Sequence, residues 1–489
     1  MVDTPSLDLR PGKLLIGGQW RDAASGKTFA TINPATGETL TTLADAGTAD
    51  LEAAVQAART AFESGPWPAM AASDRAKILF KMADLIEQRL DRIATLETLD
   101  NGKPIFESRY VDVPMVAEVF RYYGGWCTKI HGETIPVKGP FLNYTLREPI
   151  GVVAAITPWN FPLLLESWKV APALAAGNTV ILKPARLTSL TAIALGEVAC
   201  DAGLPPGVLN ILTGDGKTIG MGLVRHPGVD KVALTGSTET GKEVMRAGAD
   251  TLKRITLELG GKSPNIVLDD ADLESAVKGA YNGIFYGKGE VCAAGSRLFV
   301  AKKIREPFLE KLVERTKKLQ PADPMNPKTR MGAIVSEDQM GKVLEYVEIG
   351  RKEGASLVTG GERANVGGRG FFVQPTIFAG VKNEMRLAQE EIFGPVLSVI
   401  EFEDLDQLVR EANGTPFGLA AGLWTRDLRK AHEIAHKLRV GTVWINTYNV
   451  YDPAAPFGGY KSSGFGRELG MHALEHYTQV KDIWVNLKD

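Results

Sequence analysis

The sequence predicts an α/β protein with two doubly wound sheets and a smaller β element. Short β-branched runs alternate with helical segments between residues 151 and 257, and a second alternating set follows residue 260. Such alternation favours parallel sheets with helices on both faces. Segments 128–149 and 477–487 instead alternate polar and apolar side chains, which predicts a hairpin and a strand able to pair with it or with a neighbouring subunit.

The first hundred residues predict short strands followed by helices. Segments 14–20 and 29–34 have strand composition, whereas 50–64 and 73–99 are amphipathic with helical spacing. Ser73 is the expected N-cap of the second helix. These helices are interpreted as scaffold.

The two doubly wound sheets follow in chain order. The strands expected in the first are 152–156, 179–182, 208–212, 231–234 and 255–257. In the second, the expected helices are 273–284, 304–318, 338–353 and 428–438, and the expected strands are 396–401 and 442–445. Because ligands bind such sheets at the carboxyl ends of the strands, the loops after these strands are the first places to search.

Composition and charge exclude several classes of protein. The chain has 489 residues and a net charge of -2, which gives no general attraction to nucleic acid or to an anionic membrane. Three cysteines without close pairing fit a reducing compartment. No secretory signal is visible, and prolines and charges interrupt the apolar region 151–182. We therefore predict a cytoplasmic protein with neither a nucleic-acid nor a membrane partner.

Cys292 is the first candidate for chemistry. It lies among glycines and small residues in segment 286–297, which leaves its sulfur approachable. A thiol is intrinsically very nucleophilic, although lowering its pKa requires a positive field such as a helix N-terminus or a bound cation. The alternative is a small buried hydrophobe at a helix start. Only a partner base elsewhere in the chain separates the two interpretations.

Glu258 and Asn160 are the candidate partners of this cysteine. Glu258 ends an apolar strand and precedes two glycines, so its carboxylate has space to activate a water molecule. The alternative for Glu258 is an ion pair with Lys262. Asn160 follows the first strand of the sheet, where its amide suits stabilisation of an oxyanion together with the backbone N–H of Cys292.

Two apparent motifs are set aside. Segment 236–242 has the spacing of a P-loop, but Glu243 stands where magnesium requires serine or threonine. What remains is a helix start with a hydroxyl at Ser237, either a seat for a pyrophosphate or an ordinary turn. His432 and His436 match a zinc-protease motif, but the other histidines offer no obvious third ligand, so no metal is predicted.

Seven motifs in order resemble the aldehyde dehydrogenase superfamily along nearly the whole chain. They are TPWNFP (157–162), KPA (183–185), TGSTETG (235–241), LELGGK (257–262), GEVC (289–292), EEIFGP (390–395) and PFGGYKSSG (456–464). The resemblance implies a Rossmann-like cofactor-binding domain (1–127 and 150–258), a catalytic α/β domain (259–465) and an oligomerisation element (128–149 and 466–489). It also implies a homodimer or homotetramer.

The chemistry implied by this resemblance is aldehyde oxidation. Cys292 adds to the aldehyde, Asn160 holds the oxyanion, and hydride passes to NAD or NADP. Glu258 matches the base that hydrolyses the thioester, so the product is a carboxylic acid rather than an acyl-coenzyme A. Lys169 and Glu468 match a proton relay. A cofactor-independent thiol hydrolase is the alternative, since it would use the same cysteine, amide and carboxylate without a nucleotide.

Cofactor and substrate contacts are carried over by position. The implied cofactor contacts are Ile156, Thr157, Pro158, Trp159, Lys183, Arg186, Gly236, Ser237, Gly241, Leu259, Glu391 and Phe393. The implied substrate contacts are Phe161, Leu165, Trp168, Val291, Ala293, Tyr448, Tyr451 and Phe457. These walls favour an apolar or aromatic aldehyde, and they also suit an amino-aldehyde through cation–π contact.

Two positions depart from the pattern of the family. Arg186 stands where NAD-preferring relatives carry glutamate, so we expect NADP to be accepted, because arginine is able to bind a 2′-phosphate. Lys288 stands where many relatives carry glutamine, which adds a cation four residues before Cys292. The direction of its side chain does not follow from the sequence.

Overall fold

The computed structural model describes residues 9–488. The helices in this part of the chain are α1 (Thr48–Glu63), α2 (Pro66–Ala69), α3 (Ala72–Gln88), α4 (Leu90–Asn101), α5 (Ile105–Glu107), α6 (Val113–Trp126), α7 (Pro162–Ala175), α8 (Leu190–Asp201), α9 (Met221–Arg225), α10 (Thr238–Gly248), α11 (Leu273–Phe285), α12 (Arg305–Lys317), α13 (Glu337–Lys352), α14 (Arg386–Gln389), α15 (Leu405–Asn413), α16 (Leu428–Lys437) and α17 (His472–Glu475).

The strands in the same residues are β1 (Leu14–Ile16), β2 (Gln19–Arg21), β3 (Thr28–Ile32), β4 (Thr39–Ala44), β5 (Thr134–Ile135), β6 (Phe141–Pro149), β7 (Val152–Ile156), β8 (Thr179–Lys183), β9 (Leu209–Ile211), β10 (Lys231–Thr235), β11 (Arg254–Glu258), β12 (Pro264–Val267), β13 (Arg297–Ala301), β14 (Ser356–Thr359), β15 (Thr376–Ala379), β16 (Val396–Phe402), β17 (Phe417–Gly418), β18 (Ala420–Trp424), β19 (Thr442–Ile445), β20 (Tyr460–Lys461), β21 (Gly464–Phe465) and β22 (Thr478–Asn486).

The first sheet has the order β2-β1-β9-β8-β7-β10-β11-β21. Its five central strands, β9-β8-β7-β10-β11, are parallel, whereas β1 and β21 pair with them in the antiparallel direction. Val153 and Val180 point into one hydrophobic core, and Val152 and Ile181 point into another on the opposite face. Burial on both faces explains why these strands are continuous apolar runs. The predicted doubly wound sheet is confirmed.

The second sheet has the order β14-β15-β16-β13-β12-β18-β19 and is parallel except at β14. Two of its strands, β16 and β19, correspond to the strands predicted for this part of the chain. The predicted helices are present as α11, α12, α13 and α16. The strands β12, β13 and β18 were not predicted. Their segments PNIV, RLFVA and AAGLW contain proline, arginine, alanine or glycine, which weakens the signal of a strand.

The small β element consists of three antiparallel strands in the order β22-β6-β5. The strand β22 pairs with β6 from Thr478 opposite Pro149 to Asn486 opposite Phe141. The predicted pairing of the hairpin with the last strand is therefore confirmed. Apolar side chains remain exposed on it: Phe141, Leu142, Leu146, Val480, Trp484 and Val485.

One predicted helix is wrong in its extent. Segment 73–99 forms two helices, α3 and α4, which meet at Arg89, where φ is -105° and ψ is 14°. Because Met82, Ile86 and Ile93 are all buried, the apolar repeat continues across the bend and conceals it in the sequence. Ser73 is not the N-cap, since Ala71 holds that position without a side-chain hydrogen bond.

The three cysteines, Cys127, Cys200 and Cys292, are all free. Across residues 9–488, no helix combines the length and the apolar composition needed to cross a membrane. The predicted domain boundaries and the cytoplasmic location stay predictions.

Candidate active site

The candidate site lies where the carboxyl edge of the first sheet meets loops of the second. The register places Ile156 opposite both Lys183 and Leu234, and Thr235 opposite Glu258, so β7, β8, β10 and β11 end along one edge. Loops that precede β13 and β16 carry Cys292 and Glu391 towards this edge. The folding of two sheets thus assembles residues that lie far apart in the chain.

Two hydrogen bonds join the loops across the site. The side-chain Nδ2 of Asn160 donates to the carbonyl oxygen of Glu290 at 2.9 Å. The backbone N–H of Gly261 donates to Oε1 of Glu391, also at 2.9 Å. A Cβ atom at Gly261 would lie 2.2 Å from the carbonyl oxygen of Cys292. Glycine is therefore needed for the segment after Glu258 to approach the loop that carries Cys292.

Cys292 is half-buried and borders a cavity. Burial, together with the nearby carboxylates of Glu391 and Glu258, raises the pKa of its thiol to about 12. The residues after Cys292 form a turn rather than a helix, so the segment lacks the helix N-terminus that would favour a thiolate. The thiol is therefore protonated at neutral pH, and its reaction requires a base.

Glu258 is 6% exposed, and neither of its carboxylate oxygens has a hydrogen-bond partner. Burial raises its pKa well above the usual value, and Glu468 adds to the rise, while Lys169 and Arg467 oppose it. The alternative ion pair with Lys262 is wrong, because Nζ of Lys262 is also without a hydrogen-bond partner. A buried carboxylate whose acceptors are unused and which borders a cavity is poised to take a proton.

Lys169 and Glu468 form a buried ion pair behind Glu258. Nζ of Lys169 also donates to Oγ1 of Thr235 at 2.6 Å. Phe457 and Glu468 exchange backbone hydrogen bonds of 2.7 and 2.8 Å, which fixes the backbone that carries the glutamate. The pair that the resemblance assigned to proton relay therefore lies close enough to influence the pKa of Glu258.

The carboxyl edge of the first sheet fits a dinucleotide. Ser237 is the N-cap of α10, and a Cβ atom at Gly236 would meet nothing nearer than 3.5 Å, so the helix N-terminus is open to an anion. Lys183 ends β8, and burial lowers its pKa to about 8. The buried Oγ1 of Thr157 has no hydrogen-bond partner. The Lys242 of the rejected P-loop instead contacts Glu239 at 2.9 Å.

The resemblance assigns Glu391 and Phe393 to the nicotinamide side of the cofactor site. Phe393 has a φ of 59°, a backbone conformation that non-glycine residues rarely adopt and that occurs at functional sites. Its ring meets the edge of Trp159 at 5.1 Å between centroids. Among the other implied contacts, Gly241 is packed so tightly against Leu259 that a Cβ atom would lie 2.6 Å away.

Comparison with known proteins decides the family. Residues 20–483 match the model of the Aldehyde dehydrogenase family. The chain belongs to the aldehyde dehydrogenase family. It is 49% identical to Benzaldehyde dehydrogenase, mitochondrial, of Antirrhinum majus, over 99% of this chain and 91% of that protein. It is 47% identical to Retinal dehydrogenase 2 of Homo sapiens, over 99% of this chain and 93% of that protein.

A solved structure gives the same result. An NAD+ complex of aldehyde dehydrogenase from Bacillus cereus has a TM-score of 0.96 and 49% identity, covering 98% of this chain and 97% of that chain. The predicted family, the α/β fold and the class of enzyme, an NAD(P)-dependent aldehyde dehydrogenase, are therefore confirmed. The roles of individual residues stay predictions.

The aldehyde dehydrogenase has a cavity of about 810 Å³ beside its cysteine. It is lined by seven of the implied substrate residues: Phe161, Leu165, Trp168, Val291, Tyr448, Tyr451 and Phe457. Glu258, Thr235 and Glu468 also reach it. Ala293 does not line the cavity, because its side chain is buried in the core and its carbonyl accepts a hydrogen bond of 2.8 Å from the hydroxyl of Tyr448.

Part of the cavity wall was missed in the sequence. The additional apolar and aromatic lining residues include Phe106, Tyr110, Val111, Met115, Tyr281, Phe285, Tyr286 and Leu319. Several of these follow α5 in a π-helical segment, Ser108–Asp112, or belong to α11. Helical spacing gives no signal that separates a cavity wall from a core, so these residues were not predicted to line a site.

The guanidinium of Arg186, which was expected to be available to a 2′-phosphate, already has contacts within the protein. Its side chain is 43% exposed, and its guanidinium lies 3.3 Å from the carboxylate of Asp45 and 4.3 Å from the ring centroid of Phe29. Asp45 therefore competes with any phosphate for this arginine.

The zinc-protease motif has no third ligand nearby. The rings of His432 and His436 lie 6.4 Å apart in α16. Over residues 9–488, no group of three or more His, Cys, Asp or Glu side chains is arranged to hold a metal ion.

Proposed function

We propose that this aldehyde dehydrogenase converts apolar or aromatic aldehydes to carboxylic acids through a covalent adduct on Cys292. The proposal depends on one observation, the convergence of Cys292, Glu258 and an aromatic wall on a single cavity of about 810 Å³. Two relatives, named for benzaldehyde and for retinal, support an apolar substrate.

Glu258 prepares the nucleophile in this mechanism. Its carboxylate takes the proton of the Cys292 thiol, and Sγ bonds to the carbonyl carbon. Burial raises the pKa values of both groups, so the transfer occurs between acids that are both weaker than usual. Nδ2 of Asn160 and the backbone N–H of Cys292 stabilise the oxyanion that forms on the substrate.

Glu258 also completes the reaction. The nicotinamide cofactor supplies the hydride acceptor when it is bound at Glu391 and Phe393. Glu258 first passes the thiol proton to Glu468, the ion-pair partner of Lys169. It then removes a proton from the water that attacks the resulting thioester and returns this proton to Sγ of Cys292 as the carboxylic acid leaves.

The substrate class is tested with a panel of aldehydes. We expect an aromatic aldehyde such as benzaldehyde to have a higher kcat/KM than a short aliphatic or an amino-aldehyde. Phe457→Ala is expected to lower the value for the aromatic substrate by about 10-fold, because it removes a buried ring contact. Phe80→Ala, exposed on α3, is the control. A preference for the amino-aldehyde in the wild type would contradict the proposed class.

The cofactor is proposed to be NAD, with NADP also accepted through Arg186. Lys183 and Arg186 are balanced at this edge by Asp45 and Asp215, which oppose the lowering of the Lys183 pKa. A 2′-phosphate therefore gains the arginine only by displacing Asp45.

Arg186→Glu is expected to lower kcat/KM for NADP while leaving NAD largely unaffected. A hydrogen bond to a charged group contributes about 1.5–3 kcal/mol, so the fall is about 10-fold to 100-fold. Asp45→Asn is expected to raise kcat/KM for NADP, because it frees the guanidinium. Arg351→Glu on α13 is the matched control. Steady-state rates with both cofactors check this, and an unchanged NADP to NAD ratio in Arg186→Glu counts against the assignment.

A homodimer or homotetramer is proposed on the basis of the β6 and β22 element. Apolar side chains such as Leu142 and Trp484 are exposed there. Among residues 9–488, no strand pairs with the outer edge of β22, since the sheet order is β22-β6-β5. Both features favour burial against another copy of the chain.

A further inference from the structure

Lys288 is a buried cation next to the nucleophile loop, and the proposed chemistry does not use it. Its side chain is 1% exposed. Gly287, Lys288 and Gly289 have φ values of 56°, 62° and 71°, so the chain makes a left-handed turn just before Cys292. A lysine rarely adopts this backbone conformation, and such residues cluster where surrounding contacts hold them in place.

The turn directs the ammonium group of Lys288 towards Asn101 and Glu290. Its Nζ donates to the backbone carbonyl of Asn101 at 3.0 Å and to Oδ1 of Asn101 at 2.9 Å. The same Nζ lies 2.8 Å from Oε2 of Glu290. Lys288 therefore binds residues from two separate parts of the chain, the end of α4 and the nucleophile loop.

Both partners of Lys288 contact Asn160. Nδ2 of Asn101 donates to the carbonyl of Trp159 at 2.7 Å and lies 3.4 Å from the carbonyl of Asn160. The carbonyl of Glu290 accepts the hydrogen bond of 2.9 Å from Nδ2 of Asn160. The contacts thus form a closed ring through Asn160, Glu290, Lys288 and Asn101.

We propose that Lys288 is a positioning residue that fixes the side-chain amide of Asn160 relative to the Cys292 loop. This role rests on the function proposed above, in which Asn160 stabilises the oxyanion. In this ring, Asn101 holds the backbone next to Asn160, and Glu290 holds the side-chain amide of Asn160. Lys288 is the member of the ring that binds both Asn101 and Glu290. Stabilisation of an oxyanion requires hydrogen-bond donors that are fixed before the reaction. Greater mobility of the Asn160 amide therefore lowers the rate without changing the chemistry.

The charges around the ring explain why it holds together when buried. Glu290 also accepts a hydrogen bond of 3.1 Å from the backbone N–H of Val335, through Oε1. Burial lowers the pKa of Lys288 and raises that of Glu290, and their mutual attraction opposes both shifts. The buried carboxylates of Glu97 and Asp112 are paired with a different cation, Lys103.

The test is a double-mutant cycle with Lys288→Met and Asn160→Ala. Methionine keeps the length of the side chain and removes every donor. We expect Lys288→Met to lower kcat/KM for benzaldehyde by on the order of 10-fold to 100-fold, with kcat falling more than KM. In the Asn160→Ala background, the same substitution is expected to cause no further loss. Affinity for NAD, measured by calorimetry, is expected to stay at the wild-type value.

Two further variants keep the test decisive. Lys288→Gln retains a donor without a charge, so it replaces Lys288→Met in the cycle if the methionine variant does not fold. Lys303→Met removes an exposed lysine whose Nζ pairs with Asp269 at 2.9 Å, and we expect wild-type kinetics from it. Thermal unfolding of each variant checks that it is folded, so that the kinetic comparison is between folded proteins.

The outcomes separate the positioning role from the function on which it rests. A full additional loss in the Asn160→Ala background would overturn the positioning role, as would wild-type kinetics in a folded Lys288→Met. Wild-type kcat/KM in Asn160→Ala alone would instead overturn the oxyanion role of Asn160. Loss in each single variant together with no added loss in the double variant supports both.

Discussion

Replacing Cys292 by alanine is expected to abolish aldehyde oxidation while leaving NAD binding intact. The thiol is the only group of the site able to form the thioester, so we expect kcat to fall by at least about 10³-fold. Alanine leaves the backbone of residue 292 beside Gly261 unchanged, removes only Sγ and adds no charge. Initial rates of reduced-cofactor formation measure the first effect, and calorimetric titration with NAD measures the second.

The other two cysteines are matched controls for this substitution. Cys127 is buried, and burial raises its pKa to about 11, whereas Cys200 is exposed on α8. Neither Cys127→Ala nor Cys200→Ala is expected to change kcat. Retained turnover in Cys292→Ala would show that another group attacks the aldehyde.

Replacing Glu258 by glutamine is expected to lower kcat by about 10²-fold to 10⁴-fold, the usual contribution of a general base. Glutamine keeps the shape of the side chain but accepts no proton. It also relieves the carboxylate repulsion that contributes to the raised pKa of Cys292. Because the lower pKa of Cys292 partly offsets the loss of the base in acylation, hydrolysis slows more than acylation, and an acyl-enzyme is expected to accumulate.

The pH dependence of kcat is a second test of the role of Glu258 as a base. A base must be deprotonated to act, so the wild-type kcat is expected to fall as the pH drops through the pKa of Glu258. Since burial raises that pKa well above the ordinary 4.5, the loss begins at a pH higher than for an exposed glutamate. In Glu258→Gln this acid limb is expected to disappear. An unchanged limb would assign the titration to another group.

Local sequence patterns predicted much of the first sheet and the three central residues of the site. Apolar runs ended at Ile156 and Glu258, and the topology of a parallel sheet places such ends on one edge. A motif in the following loop was therefore enough to place Asn160 there.

Features set by contacts between distant segments were not predicted. The pattern of apolar residues does not show that α3 and α4 divide at Arg89, nor that the side chain of Ala293 turns into the core. The partner of Lys288 is Asn101, 187 residues earlier in the chain, so only the folded structure shows where that cation points. The same holds for Arg186 and Asp45.

The thioester on Cys292 is tested most directly by mass spectrometry of Glu258→Gln after prolonged incubation with benzaldehyde and NAD. We expect one acyl group on the peptide that contains Cys292, formed only when NAD is present. An adduct on a different residue, or no adduct while benzoic acid continues to form, would contradict the covalent route. Formation of the acid without reduced cofactor would instead favour the thiol hydrolase.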